Sequence, residues 1–452
     1  MKRYDFTDLF VCCHGSDAEK AAMLFSEEIE RRTGTRPEIK DDMSAGVCVS
    51  LIEDKTIDNK DVFVLSLSEN GLAVTAQGIR GLIFGYSMFL RKSVFNGKTI
   101  SLLCDISGKY VPDKKIRGHQ LGYRPLNNTY EAWDIDDFKR YYLDLMMFGC
   151  NMIELIPQNT EGEKNSLMKY SSEELCVLAS SLADEFDLDV SLWCPNDDLD
   201  IEKSTETRRE LFKKCPRIDV LFIPGGDPGE YPADEFFDRV LSIARALRES
   251  KPDAQVWPSA QKPHSQKTWG EGFIRRMNEL PDEITGVITG PNRAYPIGEL
   301  RRLLPEKYPI RYYPDITHNL RCEIPVHFDR NDWHYAFAAA LGRESVNPRP
   351  TEYRRLQRIV RPYCVGSVTY SEGVNDDLNK IVWADADFNA LVPVRETLLD
   401  YARAYMCFLP AEKIVDGIMG LEYNWYGAPE DDPCIETTLA LFEEIRKKYP
   451  SS

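Results

Sequence analysis

Short apolar runs and longer amphipathic stretches take turns along this chain of 452 residues. From residue 116 to about 400, eight apolar runs have the length of a strand. They are IRGHQLGY (116–123), NMIELIP (151–157), DVSLWCP (189–195), DVLFIPG (219–225), QVWPSA (255–260), TGVITGP (285–291), IRYYPD (310–315) and VGSVTYSEG (365–373). Between them, IDDFKRYYLDLMMFG and ADEFFDRVLSIARALRES carry apolar residues at three- and four-residue spacing. That spacing predicts helices with one buried stripe. Strand–helix alternation predicts a parallel sheet, because parallel neighbours need a long crossover. Eight such units in roughly 280 residues fit a closed (β/α)8 barrel. An open doubly wound sheet is the alternative, but it usually brings a glycine-rich nucleotide loop. No GxGxxG or GxxxxGK(S/T) pattern occurs here.

The flanks follow other patterns. Residues 1–112 alternate the strands DLFVCC, AGVCVSLIE, DVFVLSLS, LAVTAQG and KTISLLCDIS with two helices, AEKAAMLFSEEIERRTG and IRGLIFGYSMFLRKSV. Ser16 or Asp17 is placed to cap the first helix, which runs out at a glycine. YVPDKK reads as a linker, and TLLDYARAYMCFL and CIETTLALFEEIRKKY read as C-terminal helices. The expected organisation is a small α/β domain (1–112), a barrel (113–400) and a helical segment (401–452).

Composition narrows the partners. At 43% hydrophobic and 29% charged residues, the chain is ordinary for a globular protein with a large core. A net charge of −17 argues against nucleic acid or an anionic membrane as partner and is compatible with a neutral carbohydrate. The twelve cysteines form no CxxC pair and mostly sit in apolar runs, which predicts buried thiols in a reducing compartment. The N-terminal stretch has no signal-type apolar region, and no uncharged apolar run reaches membrane-spanning length. A cytoplasmic protein without cofactor is the expectation.

In a barrel of this kind the chemistry sits at the C-terminal ends of the strands. Those ends offer His119, Gln120 and Arg124 after the first strand, Glu154 in the second, and Trp193, Asn196 and Asp197 at the third. The fourth brings Asp227 and Glu230, and the fifth and sixth bring Trp257 and Asn292. The seventh brings Tyr313, Asp315 and His318, and the eighth Tyr370, Glu372 and Asn375. Sugars call for this mixture, because aromatic faces pack on pyranose C–H groups while amides and acids bond the hydroxyls. Glycosidic hydrolysis needs a pair of carboxyls, for which Asp227, Glu230, Asp315 and Glu372 are the candidates. Each acid also has a plain role open to it as a helix cap, a turn former or a solvated loop charge. Glu154 is equally readable as a salt-bridged residue inside the barrel. No HExxH, GxSxG or HxH strand end appears, so a metal site or serine elbow has no motif behind it.

The segment LAVTAQGIRGLIFGYSMFLRK, followed by IRGHQLGYRP, resembles the passage from a small α/β domain into the barrel in several glycoside hydrolases. These are the family 20 hexosaminidases, the family 84 O-GlcNAcase-type enzymes and the family 67 and 115 α-glucuronidases. LFIPGGDPGE is similar to the family 20 segment in which a GGDE-type motif ends the fourth strand. The resemblance implies an Asp227 that orients substrate. Pro228 stands where that family has its general-acid Glu, so Glu230 or another strand's carboxylate would have to donate the proton. As a whole, the chain resembles uncharacterised bacterial relatives of these enzymes. An exo-acting glycoside hydrolase is the expectation. A carbohydrate-binding barrel that has lost hydrolysis and a metal-dependent hydrolase are the alternatives.

Overall fold

The computed structural model describes residues 3–40, 47–121, 132–156, 168–195, 200–226, 229–316, 348–371, 377–406, 409–424 and 431–449. The first stretch builds β1 (Tyr4–Thr7), β2 (Phe10–His14), α1 (Ser16–Thr33), β3 (Ile39–Lys40), β4 (Cys48–Glu53), β5 (Phe63–Ser68), β6 (Gly71–Ala76), α2 (Ile79–Arg91), β7 (Ser93–Asn96), β8 (Thr99–Leu102) and β9 (Gly108–Tyr110). Six of the strands form a mixed sheet in the order β3-β2-β4-β6-β5-β9, and β1, β8 and β7 form a small antiparallel one. Neither Ser16 nor Asp17 caps α1. The helix begins one residue after Gly15, and the Asp17 N–H donates to Glu53 of β4 at 3.0 Å. A carboxylate at a helix N-terminus also meets the positive end of the helix dipole.

The barrel follows as eight strands with helices between them. They are β10 (Ile116–Leu121), α3 (Ile135–Met146), β11 (Met152–Leu155), α4 (Ser172–Glu185), β12 (Asp189–Trp193), α5 (Ile201–Lys214), β13 (Val220–Ile223), α6 (Ala233–Arg248), β14 (Gln255–Pro258), α7 (Trp269–Asn278), β15 (Val287–Thr289), α8 (Ile297–Leu303), β16 (Ile310–Tyr312), α9 (Pro350–Val360) and β17 (Gly366–Ser371). Every strand falls within its predicted apolar run. All neighbours pair in parallel, in the order β14-β13-β12-β11-β10-β17-β16-β15. The ring closes between β14 and β15 through a Ser259–Ile288 bridge and the bonds Ala260 N–H to Ile288 O (2.8 Å) and Thr285 N–H to Val256 O (3.0 Å).

Four helices end the chain: α10 (Asp377–Phe388), α11 (Val394–Tyr405), α12 (Ala411–Tyr423) and α13 (Cys434–Lys448). Two ion pairs and a hydrogen bond tie α10 and α11 back to the N-terminal part. Arg91 reaches Asp385 (3.1 Å), Lys92 reaches Asp400 (2.8 Å), and Arg32 donates to Ala404 O (2.7 Å). All residues of α2 are buried, because the helix is covered both by its own sheet and by the barrel. Arg80 on α2 pairs with Asp61 (3.0 Å) and with Asp189 of β12 (2.6 Å), and Asp61 also holds Arg117 of β10 (3.0 Å). YVPDKK is no free linker. It is strapped to the barrel by Asp113 N–H to Phe388 O (2.9 Å) and by Lys114 Nζ to Cys364 O (2.7 Å). The described cysteines are free thiols and most are buried. Among the described residues, no helix is long and apolar enough to cross a membrane.

One cluster gives this packing a pH signature. Glu28 of α1 accepts from Arg31 (2.8 Å), Arg32 (2.6 Å) and, across the junction, Arg140 of α3 (2.5 Å). Burial alone would raise its carboxyl, but the three guanidinium groups outweigh that and hold it at about 2. A depressed folded-state value contributes stability above the unfolded value of about 4.3 and loses it as pH falls through the folded one. Glu28→Gln is therefore expected to lower unfolding free energy by about 3 kcal/mol at pH 6. Urea denaturation should show the gap between wild type and variant closing from pH 4 towards pH 2. A gap independent of pH would contradict this account.

Candidate active site

Successive strand residues point to opposite faces, so each barrel strand sends every second side chain inward. The interior set includes Met152, Ile156, Trp193, Val220, Phe222, Trp257, Ile288, Tyr313, Val368 and Tyr370. Midway along the lumen this apolar packing gives way to a polar cluster. Glu154, wholly buried, accepts from Gln120 Nε2 (2.8 Å), Ser191 Oγ (2.8 Å) and Arg311 Nη1 (2.6 Å). Arg311 is also wholly buried and lies over the Phe222 ring, 5.0 Å from its centre.

Nearer the C-terminal end, the Tyr313 hydroxyl donates to Gln120 Oε1 at 2.9 Å. Its ring packs between Phe222 (5.4 Å) and Tyr370 (5.9 Å). Asp315 follows two residues later, on the parity of Arg311 and Tyr313. It pairs with Tyr370 in a parallel bridge and is 8% exposed. Trp193 ends β12 and is equally buried. Gln120, Trp193, Tyr313, Asp315 and Tyr370 thus gather at the C-terminal mouth.

Other expected site residues lie elsewhere. His119 falls between the inward-facing Gly118 and Gln120, so the pleat turns it out through the wall. There it bonds Thr369 Oγ1 through Nδ1 (2.7 Å) and meets Tyr141 of α3 edge-on. Burial, with Lys380 adding to it, pushes its imidazole well below the ordinary range and keeps it neutral. Glu154 is inside the lumen, but the wall saturates its carboxylate. Trp257 belongs to the opposite end, where it lines a cavity of about 570 Å³ with Ile116, Met152, Val220 and Val365. Glu230 is exposed on the β13–α6 connection and accepts from Ser265. Asn292 is exposed in a turn with φ 58°, its carbonyl accepting from Lys262 N–H. Arg124, Asn196, Asp197, Asp227, His318, Glu372 and Asn375 lie outside the described residues.

The paired glycines before Asp227 have a steric purpose. A Cβ on Gly225 would stand 2.3 Å from Gln261 O, and one on Gly226 would stand 2.2 Å from Pro263 N. Neither residue adopts a positive φ. They let the end of β13 lie directly on the backbone that follows β14.

Two residues were missed from the sequence. Arg311 had a legible signal, a charge at lumen parity inside the apolar run IRYYPD. Arg208 had none. It reaches from α5 to donate to Cys194 Sγ (2.9 Å) and to the Pro195 carbonyl, anchoring the chain just before Asn196.

The fold has known counterparts. It resembles a family 138 glycoside hydrolase that targets pectin rhamnogalacturonan II, with a TM-score of 0.61 and 13% identity over 93% of this chain and 56% of that one. This chain therefore spans little more than half of that enzyme. It also resembles the family 20 exo-β-N-acetylglucosaminidase of Vibrio harveyi, with a TM-score of 0.58 and 12% identity over 93% of this chain and 75% of that one. The Streptomyces plicatus N-acetyl-β-hexosaminidase gives 0.60 and 12% over 90% of this chain and 92% of that one. No family model matches the chain, and no curated protein sequence matches it. The shared feature is the architecture, a (β/α)8 barrel preceded by a small α/β sheet.

Proposed function

We propose that this protein is an exo-acting glycoside hydrolase and that its site is the C-terminal mouth of the barrel. The observation that carries the reading is the convergence there of Trp193, Tyr313 and Tyr370 with Gln120 and the acid Asp315. Aromatic faces stack on a sugar ring, amide and hydroxyl groups orient it, and a carboxyl serves the bond to be cut. The architecture supports the reading, since structures of that architecture include glycoside hydrolases of two families.

In this proposal Asp315 is one of two carboxyls flanking the scissile bond, and Asp227 or Glu372 is the other. One protonates the leaving oxygen, and its partner either attacks the anomeric carbon or activates water. A separation of about 5–5.5 Å would give retention and about 6.5–9.5 Å inversion. Glu230 is the weakest of the four candidates, because its exposed carboxylate is turned to Ser265.

A panel of aryl glycosides, assayed with wild type and the variants Asp315→Asn, Asp227→Asn, Glu372→Gln and Glu230→Gln, tests this. Turnover is expected to fall more than a hundredfold in Asp315→Asn and in one of the Asp227 and Glu372 variants, with Glu230→Gln near wild type. Wild-type rates in all four would refute the proposed acids. Sugar binding without turnover would favour a second reading, a carbohydrate-binding barrel. Pro228, in the place of the family 20 general acid, is what motivates it.

A further inference from the structure

On the outer wall of the barrel, α4 and the end of α5 meet with a thiol from each between them. We infer that Cys176 and Cys215 are a redox-closable pair, which a peroxide converts into an intramolecular disulfide that staples α4 to the end of α5. The inference is independent of the sugar-binding proposal.

The geometry carries it. Cys176 lies in the first half of α4, and Cys215 is the residue that ends α5. Their sulfurs are 3.8 Å apart, one thiol donating to the other sulfur. A disulfide holds its sulfurs about 2 Å apart, so only a short approach remains. Contacts on either side keep the two segments in register. Glu173 pairs with Lys214 at 2.6 Å, just ahead of both cysteines. Just beyond them, Ser180 Oγ donates to Arg217 O at 2.6 Å and accepts from Arg217 N–H at 3.0 Å. The thiols therefore sit between two fixed rungs, and linking them asks for little rearrangement. The two cysteines are 39 positions apart. The bond would enclose the rest of α4, all of β12 and α5, and closing a loop of that length restrains the unfolded chain most.

Both residues are buried, but Cys215 has the exposed Lys214 and Pro216 on either side of it in the chain. A peroxide is little larger than water. The hydrogen bond with Cys215, together with burial, pushes the Cys176 thiol well above its ordinary range, which makes it the poorer first nucleophile. Cys215 gives up its proton and its sulfur attacks one peroxide oxygen. The O–O bond breaks, the departing hydroxide takes that proton as water, and Cys215 is left as a sulfenic acid. The Cys176 sulfur then attacks the Cys215 sulfur. Its proton leaves with the sulfenic hydroxyl as a second water, and the S–S bond forms. The two thiols lose two electrons, and the peroxide takes both.

Peptide mapping of the folded protein tests this. Reduced wild type, freed of reductant, is treated with hydrogen peroxide, alkylated in denaturant and digested. Most of the chain is expected to yield a peptide joining Cys176 to Cys215, lighter by two hydrogens than its two halves and split by a reductant. Adding reductant to the oxidised protein opens the link but leaves methionine sulfoxides in place. On that step the melting midpoint should fall by about 4 °C. Cys215→Ala should show neither the linked peptide nor the fall. The mapping of wild type decides the matter even if that variant folds poorly. Cysteines recovered as thiols, as separate sulfinic or sulfonic acids, or joined only after urea has unfolded the chain would overturn the inference. A midpoint that does not fall when the link is opened would overturn it too.

Discussion

Arg311→Leu is expected to destabilise the protein by about 4 kcal/mol, the range found when one partner of a buried ion pair is removed. The reason is what remains. Glu154 is wholly buried, and the variant leaves its charge with only the neutral donors Gln120 and Ser191. Glu154→Leu/Arg311→Leu should recover most of the loss, since Phe222, Ile288 and Val368 give the pair an apolar surrounding. Urea denaturation of wild type and of the single and double variants checks both statements. A double variant no more stable than Arg311→Leu would show that the pair is not what the barrel centre depends on.

Gly225→Val is expected to cost a similar amount, about 4 kcal/mol, by a different route. The atoms that its Cβ would meet are the backbone oxygens of Gln261 (2.3 Å) and Ser259 (2.7 Å), which have no rotamer to change. The ends of β13 and β14 have to separate, and the Ser259 bridge that closes the barrel lies at that spot. The segment entering Asp227 moves with them. Thermal unfolding is expected to drop steeply, and any activity on aryl glycosides should fall further than the remaining folded fraction explains. Full stability in this variant would mean that the two connections do not press together as described.

Much of this architecture is legible in one dimension. Each of the eight strands falls inside a run of apolar residues, because a strand buried on both faces needs no alternation and shows as a block. The intervening helices show as stripes for the complementary reason: only one of their faces is covered. α2 was legible as a helix, but why it is buried all round was not. That depends on the barrel and the N-terminal sheet pressing on it from two sides. The strap at Asp113 and Lys114 was hidden in the same way, since its partners at Phe388 and Cys364 are some 250 residues distant or more.

The candidate site divides along the same line. That acids, amides and aromatics cluster at strand ends was visible in the sequence. Which of them face the lumen was decided by the pleat. His119 and Gln120 are neighbours, yet one is a neutral imidazole behind the wall and the other is bonded inside it. Trp193 and Trp257 both sit on barrel strands, yet the tilt of the strands carries one to the mouth and the other to the opposite cavity. The sequence by itself determined the barrel, the order of its parts and the chemical kinds available to the mouth, because each depends on patterns within a few residues. Only the tertiary structure decided that Glu154 would be spent on Arg311 and that Tyr313 would meet Gln120. Hydrogen bonds between residues 157 and 193 positions apart are set by strand register, which local sequence does not encode.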